Sequence, residues 1–167
     1  MMPSRTTRRP LVAAALMFFA AAAVAHDDKK DDPGKLPPLD AKEWKKLDSG
    51  LKVWDVKAGD GEEVKKDARV TIHYTGWFTD GKIFDTTRKE LADRLPKDRS
   101  PSGAPITFPL DRLIKGWQEG LPGAKVGGVR RLYIPYQLGY GEAGAPPTIP
   151  PKSDLVFEIE VVKVKNK

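Results

Sequence analysis

Apolar and polar residues alternate along ARVTIHYTGWF, residues 68–78, and this alternation constrains the fold more than any other feature. Successive side chains of a strand point to opposite faces, so Val70, Ile72 and Tyr74 share one face. The following TDG, at 79–81, is typical of a tight turn in which Gly accepts a positive φ. The next residues, KIFD, are predicted to form the returning strand. The stretch therefore predicts an antiparallel hairpin that buries one face.

The same period recurs along the chain and predicts five or six strands in all. The other candidates are LKVWDVK, PITFPL, GVRRLYIP and DLVFEIEVVKV. Residues 111–121 break the period, because their apolar members follow a helical stripe. These members are Leu113, Ile114, Trp117 and Leu121. Asp111 is the expected N-cap, although Gly116 lowers helix propensity. One short helix beside antiparallel strands predicts an α+β fold, with the helix on one sheet face.

Residues 1–25 have the three parts of a secretory signal peptide: a basic start, an apolar run of about 15 residues and a small-residue cleavage pattern. The run is shorter than the roughly 20 residues that span a bilayer. We expect cleavage before His26, and the adjacent arginines Arg8 and Arg9 leave a twin-arginine route open. The exported protein is expected in the periplasm, or alternatively in the medium, without stable membrane association after cleavage.

Residues 26–44 are predicted to form a flexible, charged and Pro-rich linker, because HDDKKDDPGKLPPLD has almost nothing to bury. The folded domain is assigned to residues 45–167. Two long loops stand out within it, a charged one at 88–104 and a Pro- and Gly-rich one at 135–153. Long loops in compact domains are often functional. The second is expected to close over one end of the sheet.

Composition excludes several classes of function. The chain has no cysteine, which rules out disulfides, thiol catalysis and a lipid anchor on cysteine. Removing the three leader arginines from the 29 Lys and Arg leaves 26, against 23 Asp and Glu. These charges are interspersed, as on a solvated surface, and form no basic stripe for nucleic acid. We therefore expect no nucleic-acid partner.

Metal and nucleotide sites have little support. His26 lies beside Asp27 and Asp28, but a processed signal-peptide junction explains that cluster better than a set of metal ligands does. His73 falls on the polar face of its strand. No Gly-rich phosphate loop precedes the helix. No cofactor is expected.

A set of aromatic residues remains as the candidate site: Tyr74, Phe84, Phe108, Trp117, Tyr140 and Phe157. Aromatic residues on inward strand faces are usually core residues. An apolar concavity with a few polar groups is also how small-ligand sites are built. Phe84 is followed directly by Asp85, which fits either a core ring with a solvated neighbour or the rim of a site. The residues alone leave both interpretations open.

Four segments, in order and at compatible spacing, resemble the FKBP-type peptidyl-prolyl cis-trans isomerases. They are VTIHYTGWFTDGKIFDTT, LIKGWQEGLPGAKVGGVRRLYIP, LGYGEAGAPPTIPP and DLVFEIEVVKV, within about residues 49–164. The resemblance implies a half-wrapped antiparallel sheet with the helix across its concave face and an apolar pocket between them. Matching positions give a catalytic set, Tyr74, Phe84, Asp85, Trp117 and Tyr140. They also give a substrate-binding set, Ile106, Leu113, Ile114, Ile149 and Phe157.

The resemblance implies a role for several of these groups. Trp117 would be the floor for a substrate proline, and the Ile114 N–H and the Tyr140 hydroxyl would bind carbonyl groups. Asp85 and Tyr74 would lie beside the prolyl amide, with Asp85 as a polar group held by Tyr74 or by a nearby arginine such as Arg88. No nucleophile is needed, because rotation about an X–Pro bond breaks no covalent bond.

The implied function is a monomeric isomerase that assists the folding of exported proteins. Its partners would be proline-containing polypeptides, with macrolide inhibitors as further ligands. The alternative is a chaperone or Pro-segment binding module without turnover. Three departures from the family are visible. Ile106 replaces a frequent aromatic residue, and Ala145 and Thr148 stand at positions where relatives often have bulkier residues. The segment between Arg88 and Ile106 is about a dozen residues longer than is common in the family. That insertion is expected either to be a tolerated surface loop or to guide unfolded clients.

Overall fold

The computed structural model describes residues 32–167, so the predicted signal peptide and its cleavage site lie outside the described residues. This part of the chain forms one antiparallel sheet of seven strands in the order β1-β2-β6-β7-β3-β4, with β5 also on β3. The strands are β1 (Lys45–Lys46), β2 (Lys52–Lys57), β3 (Arg69–Phe78), β4 (Ile83–Thr86), β5 (Ile106–Pro109), β6 (Val129–Ile134) and β7 (Leu155–Lys165). The count exceeds the expected five or six because the two-residue β1 is too short to show a period.

The long strands β3 and β7 form the centre of the sheet and pair along their whole length, from Arg69 opposite Lys165 to Phe78 opposite Leu155. The other edge of β3 is shared by two short strands. β5 pairs with its first half and β4 with its second half. β3 is therefore the strand that brings several distant segments of the chain together.

The one α-helix within residues 32–167, α1 (Lys115–Gly120), packs against β6, and its buried face includes Trp117. A Cβ on Gly116 would lie 2.5 Å from the Ile134 side chain, so glycine permits this close approach. The prediction of one helix over 111–121 with an Asp111 cap is wrong in its first half. Leu110–Arg112 is a separate 3-10 turn, and the backbone is extended at Leu113 and Ile114 before α1 begins.

The two faces of the sheet carry two separate apolar clusters. The larger cluster lies between the sheet and α1 and includes Val70, Ile72 and Tyr74, as the alternation predicts. The smaller one, which we call the outer cluster, lies on the other face. Its buried members are Trp77, Ile83, Leu91, Leu95 and Val156.

The outer cluster is covered by a segment that was predicted to be a flexible linker. Within the described part of 26–44, Leu36, Leu39 and Trp44 pack against this cluster. The indole N–H of Trp77 donates a hydrogen bond of 3.1 Å to the Gly34 carbonyl. The described part of the predicted linker, residues 32–44, thus packs on the sheet in this structure. The few apolar residues of the segment are sufficient because the sheet offers them an exposed apolar face.

Candidate active site

Phe84 and Asp85 both reach one cavity because β4 contains a bulge. Asp85 lies opposite Gly76, but Ile83 lies opposite the next residue, Trp77, so Phe84 is an extra residue in the ladder. A bulge re-aims side chains that would otherwise alternate between the two faces. Two consecutive side chains, a ring and a carboxylate, therefore line the same cavity.

Buried threonine hydroxyls fix the end of β4. Thr86 Oγ1 donates a hydrogen bond of 3.0 Å to the Tyr74 carbonyl and lies 3.0 Å from Thr75 Oγ1. Thr87 Oγ1 accepts a hydrogen bond of 3.0 Å from the Tyr74 N–H and lies 2.9 Å from His73 Nδ1. Hydrogen-bonded hydroxyls in a buried setting hold the backbone firmly. The carboxylate of Asp85 is thus presented from a rigid strand end.

The cavity has a volume of about 250 Å³ and lies between the sheet and the helix. Its lining is Tyr74, Phe84, Asp85, Phe108, Leu113, Ile114, Trp117, Tyr140 and Phe157. Eight of the ten residues predicted for the site are in this set. The structure does not place the other two, Ile106 and Ile149, in the lining.

Ile106 and Ile149 lie elsewhere for different reasons. Ile106 is half-buried on β5, opposite Ile72. Ile149 is buried in the larger cluster, where its N–H donates to the Ala145 carbonyl. Phe108, which belongs to the aromatic candidate set but not to the ten residues that the resemblance implies, supplies the cavity wall from β5 instead.

The aromatic side chains form walls at steep angles to one another. The Trp117 ring lies 5.1 Å from the Phe157 ring and 5.6 Å from the Tyr74 ring, at 89° and 80°. Phe84 meets Phe157 at 5.6 Å and 87°. Edge-to-face pairs of this kind are favourable beyond their buried area. They give the cavity a stiff apolar surface.

Gly76 on β3 gives two of these walls their space. A Cβ at this position would lie 2.7 Å from Phe84 Cζ and 2.8 Å from Phe157 Cε1. Both distances are far below van der Waals contact, and neither ring could stay where it is. The absence of a side chain at residue 76 therefore shapes the site.

The carboxylate of Asp85 has two partners of different kinds. The Tyr74 hydroxyl donates a hydrogen bond of 2.7 Å to Oδ2, and Arg99 Nη1 lies 3.8 Å from Oδ1. The predicted arginine partner, Arg88, is wrong, because its guanidinium donates to Glu160 at 3.0 Å. Burial, followed by the negative charge of Asp85, raises the pKa of Tyr74 far above its usual value. Tyr74 therefore remains a donor at all physiological pH values.

Three N–H and O–H donors border the cavity. The Ile114 N–H has no acceptor within residues 32–167, and neither does the Tyr140 hydroxyl. Burial and then Asp85 raise the pKa of Tyr140, while Arg99 lowers it. Trp117 Nε1 is buried without a hydrogen-bond acceptor in the same described region. The site thus combines an apolar body with three donors that have no acceptor within residues 32–167.

A second cleft of the described residues differs from this site in its lining. It has a volume of about 190 Å³, lies beside β2 and β6, and is lined by glycine, alanine, valine and charged residues, without an aromatic side chain. Residues 32–167 contain no group of three or more His, Asp or Glu side chains placed to hold a metal ion. In the same range, no helix has the length and apolarity to cross a membrane.

Fold and site together define a protein with an apolar, aromatic binding cavity between an antiparallel sheet and a short helix. The model of the FKBP-type peptidyl-prolyl cis-trans isomerase family matches residues 60–162. The chain is 44% identical over 115 residues to the FK506-binding protein of Neisseria meningitidis serogroup B, which covers 69% of this chain and 96% of the relative. The chain belongs to the FKBP-type family, and it is a peptidyl-prolyl cis-trans isomerase.

Longer relatives contain this domain as part of a larger protein. The isomerase Mip of Coxiella burnetii is 38% identical over 123 residues, which are 74% of this chain and 48% of the relative. The crystal structure of FkpA from Escherichia coli superposes with a TM-score of 0.65 at 40% identity, over 75% of this chain and 53% of that chain. These matches confirm the fold and favour the isomerase over the binding module without turnover.

Proposed function

We propose that this isomerase acts on X–Pro bonds of exported polypeptides, with the prolyl ring on Trp117 and the rotating amide beside Asp85. One observation carries the proposal: the Tyr74–Asp85 hydrogen bond lies at the rim of an aromatic cavity whose body is otherwise apolar. The Ile114 N–H and the Tyr140 hydroxyl bind the substrate carbonyl groups on either side. No observation specifically supports the alternative, a Pro-segment binding module without turnover.

The cavity matches the energetic demand of the reaction. The barrier to rotation, about 18–20 kcal/mol, arises from amide resonance. A twisted amide has lost conjugation and carries less charge separation, so an apolar cavity favours it over the planar ground state. Each tenfold acceleration requires about 1.4 kcal/mol of preferential binding of the transition state. Apolar walls and two or three fixed donors are sufficient for effects of this size.

The rate of cis-to-trans exchange in a short Xaa-Pro peptide tests these roles, since the uncatalysed reaction takes about 10–100 s at 25 °C. The wild type should accelerate it strongly, whereas Asp85→Leu and Trp117→Ala should each reduce kcat/KM by at least tenfold. A wild type no faster than the background would refute the activity. Variants as fast as the wild type would refute the assigned roles and leave the activity intact.

Export is the second part of the proposal. It is supported by the basic start, the short apolar run and the Ala23-Val24-Ala25 pattern. Expression of the full chain in a Gram-negative host, followed by fractionation and mass measurement, should give a periplasmic protein that begins at His26. Replacing Arg8 and Arg9 together by lysine distinguishes the two export routes, because a twin-arginine signal does not tolerate it. An unprocessed cytoplasmic product would contradict export.

The same cavity is proposed to bind FK506-type macrolides, in keeping with the family. Such a ligand should compete with the peptide and quench the fluorescence of Trp117 at the floor. Trp117→Ala should abolish the competition. Undiminished peptide turnover at saturating macrolide would contradict a shared site.

A further inference from the structure

The insertion at 88–105 is an anchored structure. Its 3-10 turn, Lys89–Arg94, buries Leu91, and Leu95 follows in the outer cluster. Arg94 contacts Asp32 of the N-terminal segment at 3.1 Å. Farther on, the Gly103 N–H donates a hydrogen bond of 3.0 Å to the Thr87 carbonyl. Both ends are thus fixed, so the residues between them are held near the end of β4.

Arg99 is the residue of this stretch that reaches the site. Its Nη1 lies 3.8 Å from Asp85 Oδ1, and its Nη2 donates a hydrogen bond of 2.5 Å to Thr148 Oγ1. Asp85 belongs to β4, whereas Thr148 belongs to the Pro-rich loop that also carries Tyr140. The guanidinium therefore links two elements that border the cavity.

The charge of Arg99 acts on the site and is also open to substrate. It opposes the effect of Asp85 on the pKa of both Tyr74 and Tyr140. The side chains of Arg99 and Asp85 are 36% and 37% exposed, so a flanking substrate residue can approach the pair. A guanidinium has five N–H donors, and its contacts to Asp85 and Thr148 leave donors for a carboxylate.

We propose that Arg99 determines the charge preference of this isomerase, by offsetting Asp85 and favouring substrates with an acidic residue next to the proline over those with a basic one. The inference rests on the isomerase activity of the same site. It assigns Arg99, in the segment between Arg88 and Ile106, a specific task at the rim of the cavity. Without this cation, the uncompensated carboxylate of Asp85 would favour basic neighbours.

The test compares kcat/KM for peptides with Glu or Lys immediately before the proline, and for a second pair with Glu or Lys immediately after it. The wild type should prefer Glu in at least one pair. Arg99→Gln should reduce that Glu-to-Lys ratio about two- to fivefold, the size measured for partly exposed ion pairs. In the wild type, rising salt should bring the ratio toward one, and this readout needs no substitution.

Three variants separate charge from packing. Arg99→Lys keeps the charge and should retain the ratio, and Thr148→Val removes the hydroxyl acceptor and should also retain it. Arg94→Gln, in the same insertion but paired with Asp32, should change neither ratio nor turnover. A ratio unchanged in Arg99→Gln, or equally changed in Arg99→Lys, would overturn the inference. Failure of the wild type to accelerate an Ala-Pro peptide would instead refute the activity itself.

Discussion

The Tyr74 hydroxyl, on β3, donates a hydrogen bond of 2.7 Å to Asp85 Oδ2, on the neighbouring strand β4. A second bond of the same chemistry lies outside the cavity, where the Tyr133 hydroxyl donates to Asp154 at 2.6 Å. The chain therefore contains a matched pair of Tyr–Asp contacts, one at the site and one remote from it. The pair allows the contribution to catalysis to be separated from the contribution to stability.

Tyr74→Phe should reduce kcat/KM about three- to tenfold, because Asp85 loses the donor that holds its orientation while the aromatic wall remains. Tyr133→Phe is the control and should leave kcat/KM within about twofold of the wild type. Peptide exchange kinetics at neutral pH measure both. Equal losses in the two variants would show that the bond at the site has no catalytic role.

Gly76→Ala should distort the cavity, because a Cβ at residue 76 would push against two of its aromatic walls. The new methyl group would displace the rings of Phe84 and Phe157, so we expect a loss of about 1–3 kcal/mol in unfolding free energy. We also expect a raised KM, and urea denaturation with peptide kinetics measures both effects. Adding Phe84→Leu should restore part of the lost stability by making room. If the double variant only adds the two separate losses, the proposed clash is absent.

Alkaline pH should reveal the Tyr133–Asp154 bond in the stability of the protein. Burial, followed by the bond to Asp154, raises the pKa of Tyr133 to about 12, against about 10 in an unfolded chain. Between these values the unfolded state has lost the proton that the folded state retains. The unfolding free energy therefore falls as pH rises from about 10 to about 12.

In Tyr133→Phe the unfolding free energy should fall less steeply over this pH window, because the variant lacks the hydroxyl group whose proton is lost on unfolding. Some slope should remain, since the pKa of Tyr74 is raised as well. Denaturant titrations at half-unit pH steps from 9 to about 12 measure the slopes. Parallel curves for the two proteins would contradict the linkage.

The N-terminal segment should contribute to stability. Leu36→Asp places a carboxylate against the outer cluster and should lower the unfolding free energy by about 1–3 kcal/mol. Lys35→Asp, at the adjacent exposed residue, is the control and should cost far less. Urea denaturation followed by tryptophan fluorescence compares them. Identical midpoints would indicate that residues 32–44 behave as the flexible linker predicted from composition.

Period two predicted the sheet, because it fixes which face each strand buries, and the resemblance to the family supplied eight of the nine residues that line the cavity. The prediction from sequence was wrong where the backbone departs from a regular strand or helix. The bulge at Phe84 adds one residue to a ladder and leaves no mark in the composition. The helix boundary was misplaced because Leu113 and Ile114 fit the helical stripe but adopt an extended backbone.

Long-range contacts account for the other errors. Arg88 was the nearest arginine to Asp85 in sequence, yet it contacts Glu160 across the sheet, and Arg99 takes its place. The folding of an insertion decides such pairing, and no local pattern contains that information. Similarly, residues 32–44 look too polar to pack when taken alone. Their binding surface is provided by Trp77 and Val156, far along the chain.

The central position of β7 sets the order in which the molecule can be assembled. Within residues 32–167, β7 joins β6 to β3, so the preceding strands form two separate ladders, β1-β2-β6 and β4-β3-β5. Phe157, a wall of the cavity, lies on the same strand. Until residues 155–165 have been synthesised, a nascent chain therefore lacks the strand that connects these two ladders and one wall of the cavity. An enzyme that relieves slow steps in other chains becomes active only when its own last described strand has inserted.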